Sequence, residues 1–334
     1  MRICYVQEEN SLWGGVKVVF EQAEALQERG HEILILSKDR PPNWYDVRVP
    51  LRQVESFSPA SIPESDFVIG TFWTTIRPVV EAEKGYPVHL CQGYEGGLSW
   101  YAAQLHEIEA VYRLATLTLT VHEPLTRLLW QRFHKRAHTI GQGVNHSVFF
   151  PGVVRRGGPP WRVLLVGPYE ANVKGIQEGL LALERLKKEL PLQVVRVSQF
   201  PCSVEEERLG VTDEYHHHLR PPEMSALYRS CNVLLAPAWA QEGFGLSVLE
   251  ALASGVPVIA SDIPTFRGFA PSTDWALFFA ERDVVGMQNA LQQLFHDESL
   301  QIRLRTRGLD VAWGYSFARV AERIERIFAG GGEG

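Results

Sequence analysis

Residues 239–262 run WAQEGFGLSVLEALASGVPVIASD, and no other stretch limits the possible folds as tightly. The spacing predicts a loop, a short helix and a buried strand. Glu242 lies on the loop, and Gly243-Phe244-Gly245 leads into the helix. Glu250 lies inside it, among Leu246, Val248, Leu249, Ala251, Leu252 and Ala253. Gly255 ends the helix, as glycine does where the chain must turn left-handed. Residues 256–260, with Pro257 near their start, form an apolar run of strand length. A carboxylate within so apolar a helix is either on an exposed face, in a structural ion pair, or part of a site, because buried carboxylates need partners. The Gly-Phe-Gly turn bares backbone N–H groups at a helix start, which favours a site for an anion.

A helix followed by a short apolar strand is one half of a repeating pattern. Residues 3–6 are a first strand, and a loop after them ends at Gly14-Gly15. Val16, Val19, Phe20, Ala23 and Leu26 then recur at helical spacing, and residues 32–36 form the next strand. This β-loop-α-β unit implies a parallel sheet and an α/β fold. Its glycines either admit a ligand to the helix N-terminus or only permit a tight turn; the G-x-G-x-x-G dinucleotide pattern is absent. Further apolar runs at 47–51, 67–70, 87–91 and 117–121 are strand candidates. Gln92 and Glu95 follow one of them, on a loop beyond a strand's carboxyl end, where open α/β sheets bind ligands; an ordinary polar loop is the other account.

The segment 151–160 (PGVVRRGGPP) has no periodicity and is the expected domain linker. The pattern restarts after it. Residues 163–167 are a strand ending in glycine, and Lys174-Gly175 precedes a helix marked by Ile176, Leu180, Leu183, Leu186 and Leu190. Lys174 there is either a phosphate-binding cation or a solvated surface lysine. Residues 193–197 and 233–236 are strands and 209–222 an irregular stretch. The His216-His217-His218 triplet within it is read as a polar loop and not a metal site. A final helix carries Phe317, Val320, Ala321, Ile324, Ile327 and Phe328 on one face.

Bulk composition narrows the function. The 334 residues are 45% hydrophobic and 22% charged, as in an ordinary soluble protein. A net charge of −6 argues against nucleic acid as a partner. Four scattered cysteines form no C-x-x-C pair and suit a reduced compartment. Only a strand-length apolar run follows Met1-Arg2, so no secretory leader is expected, and no run is long enough to span a bilayer. The expectation is a cytoplasmic protein. The basic, partly apolar run 127–136 leaves peripheral contact with the inner face of a membrane open.

The chain resembles the family 4 (group 1) glycosyltransferases. Gly14-Gly15-Val16 with Gly30-His31-Glu32 is similar to that family's opening GG…GHE pattern. Gly141-Gln142-Gly143-Val144-Asn145 with Phe150-Pro151 is similar to its NGVD…F.P segment, and Gly167 with Lys174-Gly175 to its phosphate loop. Glu242 and Glu250 stand as its E-x7-E pair, followed by the 255–261 strand. The resemblance implies the GT-B fold, two Rossmann-like α/β domains with parallel sheets facing across a cleft. These would be an N-terminal acceptor-side domain at 1–150, the linker at 151–160 and a C-terminal donor domain at 161–313, with the helix at 316–329 packing back on the first.

It also implies roles. Glu250 would bind the donor's ribose and Glu242 would sit by the donor sugar. Backbone N–H groups of Gly243, Phe244, Gly245 and Leu246 would bind the sugar and diphosphate. Lys174 would neutralise that diphosphate, and Gly15 would approach it. The pattern departs in two places. Pro168 follows Gly167 and no Arg precedes Lys174, so an Arg from elsewhere, such as Arg220, is a candidate. Gln92 stands where a histidine is usual, as in a rhamnosyltransferase-like subgroup with Q-x-x-E; His89 is a second candidate, with Glu95 also on the acceptor side. Gln92 would position a hydroxyl and cannot act as a base.

The implied reaction moves a sugar from a nucleotide diphosphate donor to an acceptor hydroxyl of a glycan or lipid-linked molecule. It would proceed with retention, without a cofactor or metal, in cell-surface glycan synthesis. The catalytic candidates are Glu242, Lys174 and Gln92. The alternatives are a GT-B phosphorylase or epimerase, and a non-catalytic nucleotide-sugar binding or scaffold subunit.

Overall fold

A computed structural model describes residues 1–152 and 158–331. The chain forms two compact units, Met1–Gly143 with Ser316–Gly334, and Val144–Tyr315. The linker expected at 151–160 falls largely on residues 153–157, which lie outside the described residues. The first unit ends at 143 and not 150, because residues 144–152 are bonded into the second. There Ser225 Oγ donates to the Val148 carbonyl at 2.6 Å, and Arg305 Nη2 to that of Gly152 at 3.1 Å.

The first unit alternates strands and helices: β1 (Arg2–Gln7), α1 (Gly14–Glu28), β2 (Glu32–Ser37), β3 (Leu51–Gln53), β4 (Phe67–Gly70), α2 (Trp73–Ala82), β5 (Tyr86–Cys91), α3 (Leu105–Tyr112), β6 (Leu117–Thr120), α4 (Glu123–Phe133) and β7 (His138–Thr139). Its seven strands run in the order β3-β2-β1-β4-β5-β6-β7. All pair in parallel. The apolar run at 47–51 contributes only its last residue to a strand, because β3 lies at the sheet edge and pairs through 51–53.

The second unit repeats the scheme: β8 (Trp161–Val166), α5 (Ile176–Leu186), β9 (Leu192–Ser198), α6 (Val204–Arg208), β10 (Glu214–His217), α7 (Pro221–Ser230), β11 (Val233–Ala236), α8 (Leu246–Ala253), β12 (Val258–Ser261), α9 (Pro264–Arg267), β13 (Leu277–Phe279), α10 (Val284–His296) and α11 (Glu298–Trp313). Its six strands are ordered β10-β9-β8-β11-β12-β13, again all parallel. The stretch read as irregular contains β10. Its pattern, Glu-Tyr-His-His, carries no apolar alternation because the strand lies on the sheet edge with neither face fully covered.

Side-chain caps set several helix starts: Asp283 accepts from Gly286 N at 2.9 Å and Asp297 from Leu300 N at 2.8 Å. In the second unit, the apolar stripe of α5 (Ile176, Leu180, Leu183, Leu186) packs with Val163, Leu165 and Val194 of the strands and with Met287 and Leu291 of α10.

The last helix, α12 (Phe317–Arg326), packs in the first unit with Phe317, Val320, Ala321 and Ile324 buried. Phe328 stacks on Phe67 of β4, ring centroids 3.8 Å apart. Glu325 accepts from His31 Nε2 and Arg29 Nε, both at 2.7 Å, so the Gly-His-Glu segment after α1 anchors the chain's end. Among the described residues no helix is long and apolar enough to cross a membrane.

Candidate active site

Strand order places the site. In the second unit β9 and β10 lie on one side of β8, while β11, β12 and β13 lie on the other. The connections leaving β8 and β11 therefore diverge, and the gap between them at the carboxyl ends is where open α/β sheets take ligands. Lys174 is on the first connection and Glu242 on the second.

These connections are locked together. Lys174 ends a short 3-10 turn (Asn172–Lys174), and Gly175 then adopts φ 62°. A Cβ on Gly175 would lie 1.9 Å from the Pro237 carbonyl oxygen, so only glycine lets the backbones meet. Trp239 N donates to the Val173 carbonyl at 2.9 Å. Lys174 Nζ then reaches Glu242 Oε2 at 2.8 Å. The Glu242 side chain is 9% exposed and that of Lys174 32%. Thr265 Oγ1 donates to the Glu242 carbonyl at 3.0 Å, holding the second loop against α9.

Gly243, Phe244 and Gly245 carry the chain from Glu242 to Leu246, the first residue of α8. Gly245 has φ 87°, and a Cβ on it would sit 2.4 Å from the Phe266 ring. A helix start leaves backbone N–H groups without intrahelical acceptors. Glu250, one helical stretch further, is 7% exposed and accepts from the Tyr228 hydroxyl at 3.1 Å. Burial, and next the Glu250 charge, push the Tyr228 hydroxyl well above the ordinary tyrosine range, so it remains a donor.

Two contributors escaped the sequence reading. Arg196, fully buried in β9, pairs with Glu206 (Nε–Oε1 2.6 Å) and donates to the carbonyls of Leu165 at 3.0 Å and Gly167 at 2.9 Å. It thus fixes the start of the Lys174 loop. The signal was present: a lone arginine at an inward position of Leu-Gln-Val-Val-Arg-Val-Ser must be paired. Tyr228, on α7, carries no sequence motif of its own. Arg220 is exposed, precedes α7 and donates its backbone N–H to Glu223 at 2.8 Å. It follows β10, two strands away from β8 in the sheet.

In the first unit, Gln92 Nε2 donates to the Gly15 carbonyl at 3.1 Å, joining the loops after β5 and β1. A Cβ on Gly15 would press on the Gln92 amide at 3.3 Å. Glu95 contacts the Tyr112 hydroxyl, which also lies 2.9 Å from the Gly93 carbonyl, and Cys91 Sγ is 3.3 Å from that same carbonyl. The Tyr112 hydroxyl donates toward both oxygens, a shared three-centre hydrogen bond. Burial pushes the Glu95 carboxyl up to about 7, against the opposing Tyr112 hydrogen bond.

His89 does not join these residues. It is 1% exposed, its ring stands edge-on to Tyr112 at 4.9 Å, and burial followed by the Lys135 charge lowers it to about 3. It is a core histidine with no access to an acceptor. The histidine triplet is placed on edge strand β10 and just after it, with His216 Nε2 at 3.5 Å from Glu214. Among the described residues no group of three or more His, Cys, Asp or Glu side chains is placed to hold a metal ion.

Paired parallel Rossmann-like sheets are the mark of GT-B proteins, and known proteins agree. Residues 160–297 match the family described as Glycosyl transferases group 1. The phosphatidyl-myo-inositol mannosyltransferase of Mycolicibacterium smegmatis is 27% identical over 353 residues, spanning 94% of this chain and 90% of that protein. Sucrose-phosphate synthase from Thermosynechococcus elongatus superposes with a TM-score of 0.80 at 16% identity, covering 99% of this chain and 98% of that one. Anabaena Alr3699/HepE, solved with UDP-glucose, gives 0.83 at 12% identity, covering 99% and 100%. At such identities the two structures establish the fold alone. The chain is a glycosyltransferase of the GT-B fold. Its likeness to family 4, the group 1 glycosyltransferases, is carried by residues 160–297.

Proposed function

We propose that the enzyme transfers a hexosyl group from a nucleoside diphosphate sugar to a hydroxyl of a glycan, free or lipid-linked, with retention and without a metal ion or cofactor. The observation that carries this reading is the Lys174–Glu242 contact of 2.8 Å across the two connections at the strand-order reversal. It sets an ammonium beside a helix start on a loop fixed by a buried arginine. Charge that develops on the leaving diphosphate as the glycosidic C–O bond breaks would be stabilised by Lys174 and the backbone N–H groups from Gly243 to Leu246. Glu242 would orient that ammonium and border the donor sugar. Glu250, steadied by Tyr228, would accept hydrogen bonds from the ribose hydroxyls.

On the first unit the acceptor hydroxyl would meet Gln92 and Glu95. Neither serves as a strong base: an amide takes no proton, and Glu95, raised to about 7 by burial, is already partly protonated at neutral pH. They position the hydroxyl. A relative named a phosphatidyl-myo-inositol mannosyltransferase supports a hydroxyl-rich, lipid-linked acceptor. Thermal-shift titration with UDP-glucose, GDP-mannose and dTDP-rhamnose tests the donor half. At least one should raise the melting temperature of the wild type and leave Glu250→Ala unmoved; equal responses from both proteins would refute the assignment.

A further inference from the structure

Four aromatic residues gather at the carboxyl ends of two neighbouring strands in the first unit. Phe72 and Trp73 follow β4; Trp100 and Tyr101 follow β5, its parallel partner. Tyr101 is the hub, its ring centroid 6.1 Å from Phe72, 6.4 Å from Trp73 and 6.1 Å from Trp100. None of the four is buried, and Trp100 is 51% exposed. Large rings left open at the ligand-binding edge of a parallel sheet, and not folded into the core, mark a binding surface.

The charges beside these rings say which ligand. Burial, then the Glu95 carboxyl, and further on that of Glu9, raise the Tyr101 hydroxyl, so both carboxyl groups lie near it. Glu95 belongs to the loop that carries Gln92. Arg77, one helical turn beyond Trp73 on α2, is paired with Glu81 at 3.5 Å. A membrane surface selects aromatic residues with unpaired Lys and Arg. This surface presents aromatic rings with acids.

We propose that Trp73, Trp100 and Tyr101 form a stacking subsite for a sugar ring of the acceptor, so that the acceptor is a saccharide and not a bare lipid or an acyclic polyol. A pyranose offers an apolar face of C–H bonds that carry slight positive charge, which the negative face of an aromatic ring attracts. Its rim of hydroxyls can donate to the Glu9 carboxylate and exchange hydrogen bonds with Glu95 and Tyr101. Apolar walls with a few directed polar groups are the usual build of a small-molecule site. The subsite rests on the transferase reading above for its role as an acceptor site, but its occupancy by a sugar is measurable without a donor.

The test is saturation-transfer NMR of the full chain with methyl α-D-mannopyranoside, methyl β-D-glucopyranoside and maltose. At least one should receive saturation, strongest at ring C–H protons, and Trp100→Ala should reduce the signal roughly fivefold. Trp100 is exposed, so its truncation leaves the core intact, and an unchanged melting temperature verifies this. No transfer to any of the three sugars in the wild type would overturn the subsite, as would a signal undiminished by Trp100→Ala. Co-sedimentation with phosphatidylglycerol vesicles that Trp100→Ala abolishes, in the absence of a sugar signal, would assign the rings to a membrane and overturn it too. A Trp100-dependent sugar signal supports the subsite even where no nucleoside diphosphate sugar shifts the melting temperature, in which case the donor assignment alone fails.

Discussion

Lys174 Nζ lies 2.8 Å from Glu242 Oε2, and through that contact the connections after β8 and β11 become one surface. Neither residue is near the other in sequence; parallel pairing of β8 with β11 brings them together.

Removing the ammonium separates two effects. Lys174→Ala should lower kcat/KM by about 100-fold or more, the usual cost of losing a preorganised charge at a developing anion. It also leaves Glu242, with a side chain only 9% exposed, without its cation. Breaking buried pairs costs several kcal/mol, but Lys174 is a third exposed and solvent screens the pair, so about 1–2 kcal/mol of stability is expected. Lys174→Arg should restore most of the stability and little of the rate, because a planar guanidinium does not occupy an ammonium's place. Steady-state kinetics and urea melts on the two variants read these effects separately.

Under the proposed roles, Tyr228 acts on the donor only through Glu250. Tyr228→Phe keeps the buried ring and deletes the hydroxyl bonded to the carboxylate at 3.1 Å. The expected loss is about 1–2 kcal/mol of stability, one hydrogen bond to a charged group in the interior. If Glu250 holds the ribose in ground and transition state alike, donor KM rises several-fold and kcat is unchanged. A fall in kcat with constant KM would instead place Glu250 near the reacting carbon.

Protonation of Glu95 predicts a pH signature. The folded carboxyl titrates at about 7, against 4.5 for an ordinary glutamate. Between those values the folded chain holds a proton that the unfolded chain has lost. The contribution to stability is therefore full below 4.5 and disappears as pH rises through about 7. Glu95→Gln cannot titrate, and its amide oxygen can still accept from Tyr112. The wild-type melting temperature minus that of Glu95→Gln should fall steadily from pH 5 to pH 8. His89 gives the opposite slope: held at about 3 against an ordinary 6.5, its contribution is full above 6.5 and is lost as pH falls. Because His89 is common to both proteins, it cancels in the difference. A pH-independent difference would mean that Glu95 is ionised in the folded enzyme.

Much of this site could be read from residue order, for a physical reason. Helix period, strand-length apolar runs and terminal glycines are local properties, so β1, α1, β8, α5, β11 and α8 were visible, with Glu242 and Glu250 flanking a glycine-marked helix start. What was hidden depends on distant pairing. The Arg196–Glu206 contact needs β9 to lie beside β8, and the raised Glu95 carboxyl needs burial by residues distant in sequence, among them Tyr112 of α3. Edge strands were misjudged because a half-covered strand does not need an apolar pattern: β10 contains two histidines. His89, the second candidate that the family resemblance offered for the usual histidine, is turned into the core by its register in β5.

Gly175 allows the close approach itself to be tested. Its φ of 62° is shared by Gly210, yet a Cβ at Gly210 would meet nothing within 4 Å, whereas at Gly175 it would meet the Pro237 oxygen at 1.9 Å. Left-handed backbone alone costs an alanine about 1–2 kcal/mol. Gly210→Ala should lose that much stability and keep full activity. Gly175→Ala must in addition push the two connections apart, and with them Lys174 from Glu242. Its loss should exceed that of Gly210→Ala by about 1–3 kcal/mol. Its kcat/KM should fall by roughly 100-fold even where the protein is fully folded, because displacements of about 1 Å at a preorganised site cost that much. Equal stability losses in the two variants, with activity retained in both, would show that the loops can meet without a glycine and that the Lys174–Glu242 contact does not depend on the close approach.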